Sequence, residues 1–286
     1  MKRKGGTDSV MRAYVVPNHQ KRETAAILQT LTGLAPRYGL TLCHISQSDP
    51  QTPLTETQQQ LLDSSDVIIA IGGDGTIIHC ARLSSLSGKP IMGVNAGKLG
   101  FLAQVEASRL EHSLRRLVAG DYQIEYRSAI SAFFGDNETP PLEFAINDIV
   151  IFKTPEHNMA RLEILCNSRM VDCYRADGII LSTATGSTAY NLSAGGPVID
   201  PLLSAVTMVP ICPHSLSVRS LVFSENRILT IRSPEPLTVT ADGSQRRQIA
   251  ENTAIQIGTA TKRAGFVTFH EQEFFEILTA KIKQRG

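Results

Sequence analysis

A glycine-rich loop between an apolar run and a helical pattern carries one acidic side chain, Asp74. The loop reads Gly72-Gly73-Asp74-Gly75-Thr76 and follows the apolar run 66–71. Glycines at the end of a buried strand let the backbone approach a phosphate, and the next helix offers free amide donors. An aspartate there would repel phosphate, so its carboxylate suits a proton acceptor for a reacting hydroxyl. A plain Asp-Gly turn explains the same residues, and neither GxxxxGK(S/T) nor GxGxxG is present.

A second stretch, from Asp177 to Pro197, is rich in short hydroxyl side chains and glycine. Such residues suit hydrogen bonds to sugar and phosphate, and Tyr190 adds an aromatic face with a polar tip. A hydroxyl-rich surface loop is the alternative. Asn147 and Asp148 interrupt an apolar run predicted as one strand over 144–152. A buried polar pair costs free energy unless it finds partners, which a strand end, a bulge or a ligand diol could supply.

The elements that must position these residues change character near Gly120. Before it, apolar runs typical of buried parallel strands alternate with segments of helical spacing, which predicts an α/β domain with an open parallel sheet. After it, short β-rich runs separated by turn residues, the last of them over 266–269, predict a mainly antiparallel β domain. A helix over 271–283 is expected to return to the first domain. The predicted divisions are 1–120, 121–268 and a C-terminal segment, 269–286.

Composition excludes several classes of protein. The chain has 286 residues, 42% of them hydrophobic, which suits two packed domains and rules out general disorder. A formal net charge of +1 gives no electrostatic footprint for nucleic acid. No run approaches the roughly 18 apolar residues of a membrane span, and no signal peptide is expected. The five cysteines are scattered without zinc spacing and indicate buried thiols in a reducing compartment, so the predicted location is cytoplasmic.

Together these motifs resemble those of the NAD kinase family along the whole chain. The Gly-Gly-Asp-Gly motif alone is shared with lipid kinases and phosphofructokinases, whereas the stretch from Gly186 to Pro197 is highly specific. The matching segments, in chain order, are 72–76, 95–102, 147–148, 177–197, 213–217 and 242–245.

The resemblance implies phosphoryl transfer from ATP, or from polyphosphate, to the 2′-hydroxyl of the adenosine ribose of NAD, which gives NADP. It implies that Asp74 binds the ligand and accepts the proton, and that Gly75 lies against the ligand. The other implied nucleotide contacts are Asn147, Asp148, Arg175, Asp177, Thr188, Ala189, Tyr190, Asn191, Leu192, Ser193 and Gln245. A divalent ion, expected to be Mg²⁺, would come with ATP, and no protein metal ligands are assigned. A homo-oligomer, either dimer or tetramer, is expected.

Two positions depart from the family pattern. Asp148 stands where glutamate is usual, which keeps the charge and shortens the reach, and Gln245 follows Asp242-Gly243 with looser spacing. Lys98 and His214 lie in family motifs and receive no catalytic assignment. Two alternatives remain open: a diacylglycerol-type lipid kinase, which would need an apolar acceptor pocket, and a non-catalytic NAD(P)-binding regulator, which would not need Asp74.

Overall fold

The computed structural model describes residues 10–45, 54–97, 100–103, 105–135, 139–270 and 274–283. The chain divides into two compact units, Met1–Tyr126 with Ala264–Gly286 (unit 1) and Arg127–Arg263 (unit 2). Lys98 lies outside the described residues. Of the helices described, none is long and apolar enough to cross a membrane.

Strands predominate over helices in the described part of the chain. The strands are β1 Met11–Pro17, β2 Leu40–Ile45, β3 Val67–Gly72, β4 Ile91–Asn95, β5 Val105–Glu106, β6 Gln123–Arg127, β7 Ile130–Phe134, β8 Leu142–Ala145, β9 Asp148–Lys153, β10 Ala160–Cys166, β11 Arg169–Ala176, β12 Gly178–Thr183, β13 Ala205–Ile211, β14 Leu221–Ser224, β15 Leu229–Arg232, β16 Leu237–Ala241, β17 Gln245–Ile249, β18 Ile255–Thr259 and β19 Ala264–Thr268. The α-helices are α1 Thr24–Leu34, α2 Glu56–Asp63, α3 Asp74–Ser87, α4 Leu110–Val118, α5 Tyr190–Ser193 and α6 Phe274–Lys283. Turns of 3₁₀ helix lie at Ala35–Tyr38, Ala107–Arg109 and Thr185–Thr188.

Unit 1 is an α/β domain around a seven-stranded sheet. The strand order is β2-β1-β3-β4-β19-β6 with β5 beside β4, and β1, β2, β3, β4 and β19 pair in parallel. β3 is buried along its whole length, as expected for a strand covered on both faces. On one face α1 and α4 bring Leu31 and Leu114 into the core. On the other, Ile77 of α3 lies against Gly93 of β4, where a Cβ would collide with it.

Unit 2 is a mainly antiparallel β domain with two six-stranded sheets. Their strand orders are β11-β10-β15-β18-β7-β8 and β14-β13-β12-β9-β16-β17. The main core lies between them and includes Ile164 and Ile257 from the first sheet and Ile151 and Leu181 from the second. Residues alternate across a strand, so Val150 faces away from this core and joins Ile180 and Val209 in a smaller apolar cluster. Both predicted domain types are therefore confirmed.

The structure differs from the predicted elements in three places. The predicted strand over 144–152 is two strands, β8 and β9, with a break at Ile146 and Asn147. The last predicted strand, over 266–269, corresponds to β19, which pairs with β4 of unit 1, so the units found differ from the predicted divisions there. The prediction of buried thiols is wrong for Cys173 and Cys212, which are exposed, because Cys173 lies on an edge strand and Cys212 just after the end of β13.

Candidate functional site

Asp74 begins α3, and a second loop of unit 1 holds its carboxylate. Oδ2 accepts the N–H of Phe101 at 3.0 Å, and Oδ1 accepts the N–H of Leu102 at 3.0 Å. Gly100 lies so close to this carboxylate that a Cβ would collide with it. The structure thus brings together two segments, 72–76 and the described part of 95–102, that are far apart in sequence.

The C-terminal helix supplies a cation to the same carboxylate. Nζ of Lys281 in α6 lies 3.6 Å from Oδ2 of Asp74 and 4.0 Å from the centre of the Phe101 ring. The ring of Phe274, at the start of α6, lies 5.8 Å from that of Phe101 between centroids. Helix α6 therefore packs in unit 1, as predicted, and contributes Lys281, which no sequence motif indicated.

The glycines of the loop differ in how much space a side chain would have at each position. A Cβ on Gly72 would collide with Thr76, whereas Gly73 and Gly75 have open space within 4 Å of the position a Cβ would take. The carbonyl of Gly73 accepts the N–H groups of Thr76 at 3.0 Å and Ile77 at 3.2 Å, which closes the first turn of α3. Packing therefore explains Gly72, but it does not explain Gly75.

Unit 2 contains a pocket of about 590 Å³, within the size range of small-molecule sites. Alternate residues of β9 form its floor, and the ends of β13 and β16 and the start of α5 complete it. The lining residues are Asn147, Asp148, Val150, Phe152, Lys153, Asp177, Ala189, Tyr190, Ile211, Thr240, Asp242 and Gly243.

Asp242 fixes the turn that carries Asn147 and Asp148. Its Oδ2 accepts the N–H of Ile146 at 2.9 Å, and its Oδ1 accepts those of Asn147 at 2.8 Å and Asp148 at 3.2 Å. The bonds to Ile146 and Asn147 take up N–H groups that a continuous strand would pair within the sheet, which explains the break between β8 and β9. Asn147 and Asp148 therefore lie at a strand end, one of the expected arrangements, and they line the pocket as well.

Asp148, which is buried, and Asp242, which is partly buried, form an acidic pair. Burial, and then the nearby charge of Asp242, raise the pKa of Asp148 to about 7. Burial also raises the pKa of Asp242 to about 6, although the three backbone N–H groups act to lower it. Asp148 is 6% exposed. The raised pKa favours the protonated form of Asp148, which can donate a hydrogen bond as well as accept one.

Asp177 and Lys153, whose charges are of opposite sign, form an ion pair at the pocket. Nζ of Lys153 lies 3.5 Å from Oδ1 of Asp177, and the backbone N–H of Lys153 donates to the carbonyl of Asp177 at 3.0 Å. Tyr190 is 46% exposed, so its ring is open to a stacking partner. The lining thus combines acidic and aromatic groups, which suit a polar ligand with hydroxyl groups and a flat ring.

Asn191 supports the loop from inside. Its Nδ2 donates to the carbonyls of Ser187 at 2.8 Å and Pro197 at 2.9 Å, and its Oδ1 accepts the hydroxyl of Thr207 at 2.7 Å. The side chain is fully buried. Asn191 therefore stabilises the conformation of the segment that carries Ala189 and Tyr190.

Comparison with known proteins gives the family. The models described as the ATP-NAD kinase N-terminal domain and the ATP-NAD kinase C-terminal domain match residues 11–122 and 146–269. The NAD kinase of Caldanaerobacter subterraneus subsp. tengcongensis is 40% identical over 230 residues, which cover 79% of this chain and 81% of that protein. The NAD kinase of Acetivibrio thermocellus is 32% identical over 287 residues, with coverage of 97% and 99%. The chain belongs to the NAD kinase family.

A solved structure agrees with this family. The crystal structure of an NAD kinase from Archaeoglobus fulgidus in complex with ATP has a TM-score of 0.77 and 25% identity, covering 96% of this chain and 100% of that one. The resemblance drawn from the motifs is therefore confirmed, as is the prediction that the chain is an enzyme of the NAD kinase type.

The residues that the NAD kinase resemblance implied fall into three groups. Asn147, Asp148, Asp177, Ala189 and Tyr190 line the pocket of unit 2, while Asp74 and Gly75 lie at the start of α3 in unit 1. The third group lies outside the pocket lining and comprises Arg175, Thr188, Asn191, Leu192, Ser193 and Gln245. For all three groups, contact with a nucleotide stays a prediction.

Sequence reasoning missed other residues of the lining. Phe152, Lys153, Ile211 and Thr240 come from strands that meet only after folding, and nothing in their local sequence marks them. Asp242 did carry a signal, because it begins an Asp-Gly pair inside a β-rich region. Its φ of 48° is in the left-handed region, which aspartate tolerates better than most residues.

Proposed function

We propose that this member of the NAD kinase family transfers the γ-phosphoryl group of ATP to the 2′-hydroxyl of the adenosine ribose of NAD. The products are NADP and ADP. The observation that carries the proposal is the pocket of unit 2, where Asn147, Asp148, Asp177 and Tyr190 offer hydrogen-bonding and stacking groups to one ligand. The family assignment supplies the reaction type.

The proposed chemistry balances with one protein base. The 2′-oxygen forms a bond to the γ-phosphorus, the bond from that phosphorus to the β–γ bridging oxygen breaks, and ADP leaves. Asp74 takes the proton of the 2′-hydroxyl. Each oxygen of its carboxylate accepts one backbone N–H, which fixes its orientation and leaves lone-pair capacity for a further hydrogen bond. Because such a transfer depends mainly on alignment and charge stabilisation, a fixed carboxylate suits it.

The pocket residues are proposed to hold the dinucleotide. Asn147 and Asp148 would hydrogen-bond ribose hydroxyls, Asp177 would accept a further donor, and Tyr190 would stack on a ring with Ala189 beside it. The remaining proposed nucleotide contacts are Gly75, Arg175, Thr188, Asn191, Leu192, Ser193 and Gln245.

Mg²⁺ is proposed to enter as part of the Mg–ATP substrate. Among the described residues, no three His, Cys, Asp or Glu side chains come close enough to hold a metal ion together. Mg²⁺ commonly binds through substrate phosphates and water with few protein ligands, so the residues present fit an ion carried by ATP. We also propose a cytoplasmic homo-oligomer, and polyphosphate as an alternative donor.

An acceptor panel tests the proposed function. Purified protein is incubated with Mg–ATP and with NAD, NADH or diacylglycerol vesicles, and NADP is detected with a dehydrogenase that accepts only NADP. A parallel set with polyphosphate tests the donor. NADP formation from NAD, with no phosphorylated lipid, supports the proposal. Phosphorylated lipid without NADP would favour the lipid kinase, and nucleotide binding with no transfer would favour the regulator.

A further inference from the structure

The turn Ile146–Asp148 is held from one side by a single residue, Asp242. The three backbone N–H groups of the turn donate to its carboxylate at 2.8–3.2 Å. In return, the N–H of Asp242 donates to the carbonyl of Asp148 at 2.9 Å. Hydrogen bonds that run in both directions leave the turn little freedom to move relative to Asp242.

The carbonyl side of the same turn is held by β12 and the residues after it. The carbonyl of Asn147 accepts the hydroxyl of Ser182 at 3.1 Å and the N–H of Thr183 at 2.9 Å. Gly186 lies against the backbone of Asn147, where a Cβ would collide with it. Asp242 thus holds the N–H groups of the turn, and β12 holds the carbonyl of Asn147.

We infer that Asp242 is the positioning residue that places the side chains of Asn147 and Asp148 for the dinucleotide, an inference that rests on the proposed function. An isolated Asp-Gly turn does not need a carboxylate that accepts three backbone N–H groups from a segment remote in sequence. Here the carboxylate lies at the pocket, two of its bonds go to Asn147 and Asp148, and the third goes to Ile146, which precedes them. Asp242 acts through Asn147 and Asp148, so it is not assigned a catalytic role.

Asp242→Asn isolates this effect. Asparagine accepts the left-handed conformation at φ 48° as readily as aspartate, so no backbone strain is added. Its single amide oxygen can serve one side of the turn, and the amide nitrogen would face a backbone N–H on the other. We expect the KM for NAD to rise about 10-fold to 100-fold, as for a small misplacement of a binding group. The KM for ATP should stay within about two-fold of its original value.

A matched control separates positioning from a general loss of stability. Asp200, also in unit 2, accepts one backbone N–H, that of Leu202, at 2.9 Å, and it lies outside the pocket lining. Because one oxygen suffices there, Asp200→Asn should leave both KM values unchanged. Melting temperatures of both variants show whether a change in KM merely follows a loss of folded protein.

A double-variant cycle gives the readout that a purely structural role would not move. If Asp242 acts through the turn, Asp242→Asn together with Asn147→Ala should raise the KM for NAD by less than the product of the single effects. An unchanged KM for NAD in Asp242→Asn, or fully multiplicative effects in the cycle, would overturn the inference. If Asp242→Asn does not fold, Ser182→Ala removes one of the two hydrogen bonds to the carbonyl of Asn147 and so loosens the turn from its other side, and an unchanged KM for NAD there would overturn the inference as well. Failure of the proposed function is distinct, because the unaltered protein would then form no NADP.

Discussion

At the scale of single residues, Asp74 is a carboxylate placed among amide donors that would suit a phosphate. Its negative charge would repel such a ligand, but the structure gives it compensating partners. Two backbone N–H groups and the Lys281 ammonium contact it, and its place in the first turn of α3 is favourable for an acidic side chain. Asp74 is thus fixed in unit 1 by contacts that a mobile surface aspartate would lack.

Gly75 provides a test of whether the loop is shaped for a ligand. Nothing lies within 4 Å of a Cβ at this position, so Gly75→Ala should leave the free energy of unfolding unchanged or raise it by up to about 1 kcal/mol, since alanine favours a helix. We nevertheless expect kcat/KM to fall about ten-fold or more, because a methyl group would hinder close approach of the substrate. Thermal melts and initial rates check both parts.

Gly33→Ala is the matched control for that experiment. Gly33 lies in α1 and also has no atom within 4 Å of a Cβ. Both substitutions add a methyl group to a helix in open space, but only Gly75 belongs to the glycine loop. Equal activity of the two variants would mean that Gly75 is an ordinary helix residue.

The raised pKa of Asp148 predicts a pH-dependent stability. Its pKa moves from 3.8 to about 7 on folding, so between those values the folded protein binds a proton that the unfolded chain has released. The contribution of Asp148 to the free energy of unfolding must then fall as pH rises from about 4 through 7. Because asparagine cannot titrate, Asp148→Asn should reduce this decrease in stability with pH. The melting temperature of the variant should exceed that of the unaltered protein at pH 8 and differ little from it at pH 4. If the melting temperatures of the two proteins change with pH in the same way across this range, the raised pKa of Asp148 is contradicted.

At the scale of elements, local pattern predicted most strands and helices and missed those that depend on side-chain contacts. The apolar run 144–152 indicated one strand, but the break at Ile146 requires Asp242, which is remote in sequence. Helix α2 lies in a polar Gln/Thr stretch and was missed. It begins with a capping box between Thr55 and Gln58, a signal that was available in the sequence.

Helix α6 carries a prediction of its own through Lys281. Lys281→Met keeps an apolar stem over the Phe101 ring and removes the ion pair with Asp74. Because both side chains are partly exposed, the pair is worth little to stability, and the melting temperature should barely change. We expect kcat to fall by up to about five-fold, the factor that corresponds to an interaction of this strength.

Lys283→Met, an exposed position on the same helix, controls for the loss of a positive charge. It should leave kcat unchanged. If the two lysine variants lose activity equally, the contact between Lys281 and Asp74 has no role in turnover.

At the scale of the whole molecule, the order of the motifs along the chain predicted the family, and the change of hydrophobic pattern near Gly120 predicted the two domain types. The division between the units was harder to predict, because β19 is far from β4 in sequence and joins it only through sheet pairing. The same dependence on strand pairing explains which residues of the site could be predicted from the sequence. Residues adjacent in sequence, such as Asn147 and Asp148 or Ala189 and Tyr190, were predicted as site residues, and these four line the pocket. Phe152, Ile211 and Thr240 meet in the pocket only after the four strands β9, β12, β13 and β16 have paired, so local sequence could not reveal them.

In the proposed reaction the 2′-hydroxyl of NAD receives the γ-phosphoryl group of ATP and loses its proton to Asp74. Transfer of labelled γ-phosphate from Mg–ATP is measured with NAD and with an NAD analogue that lacks the 2′-hydroxyl on the adenosine ribose, for the unaltered protein and Asp74→Asn. We expect labelled NADP from NAD, no labelled product from the analogue, and a rate about 10²-fold to 10⁴-fold lower for Asp74→Asn at an unchanged melting temperature. Label transferred to the analogue, or a near-normal rate for Asp74→Asn, would contradict the proposed reaction.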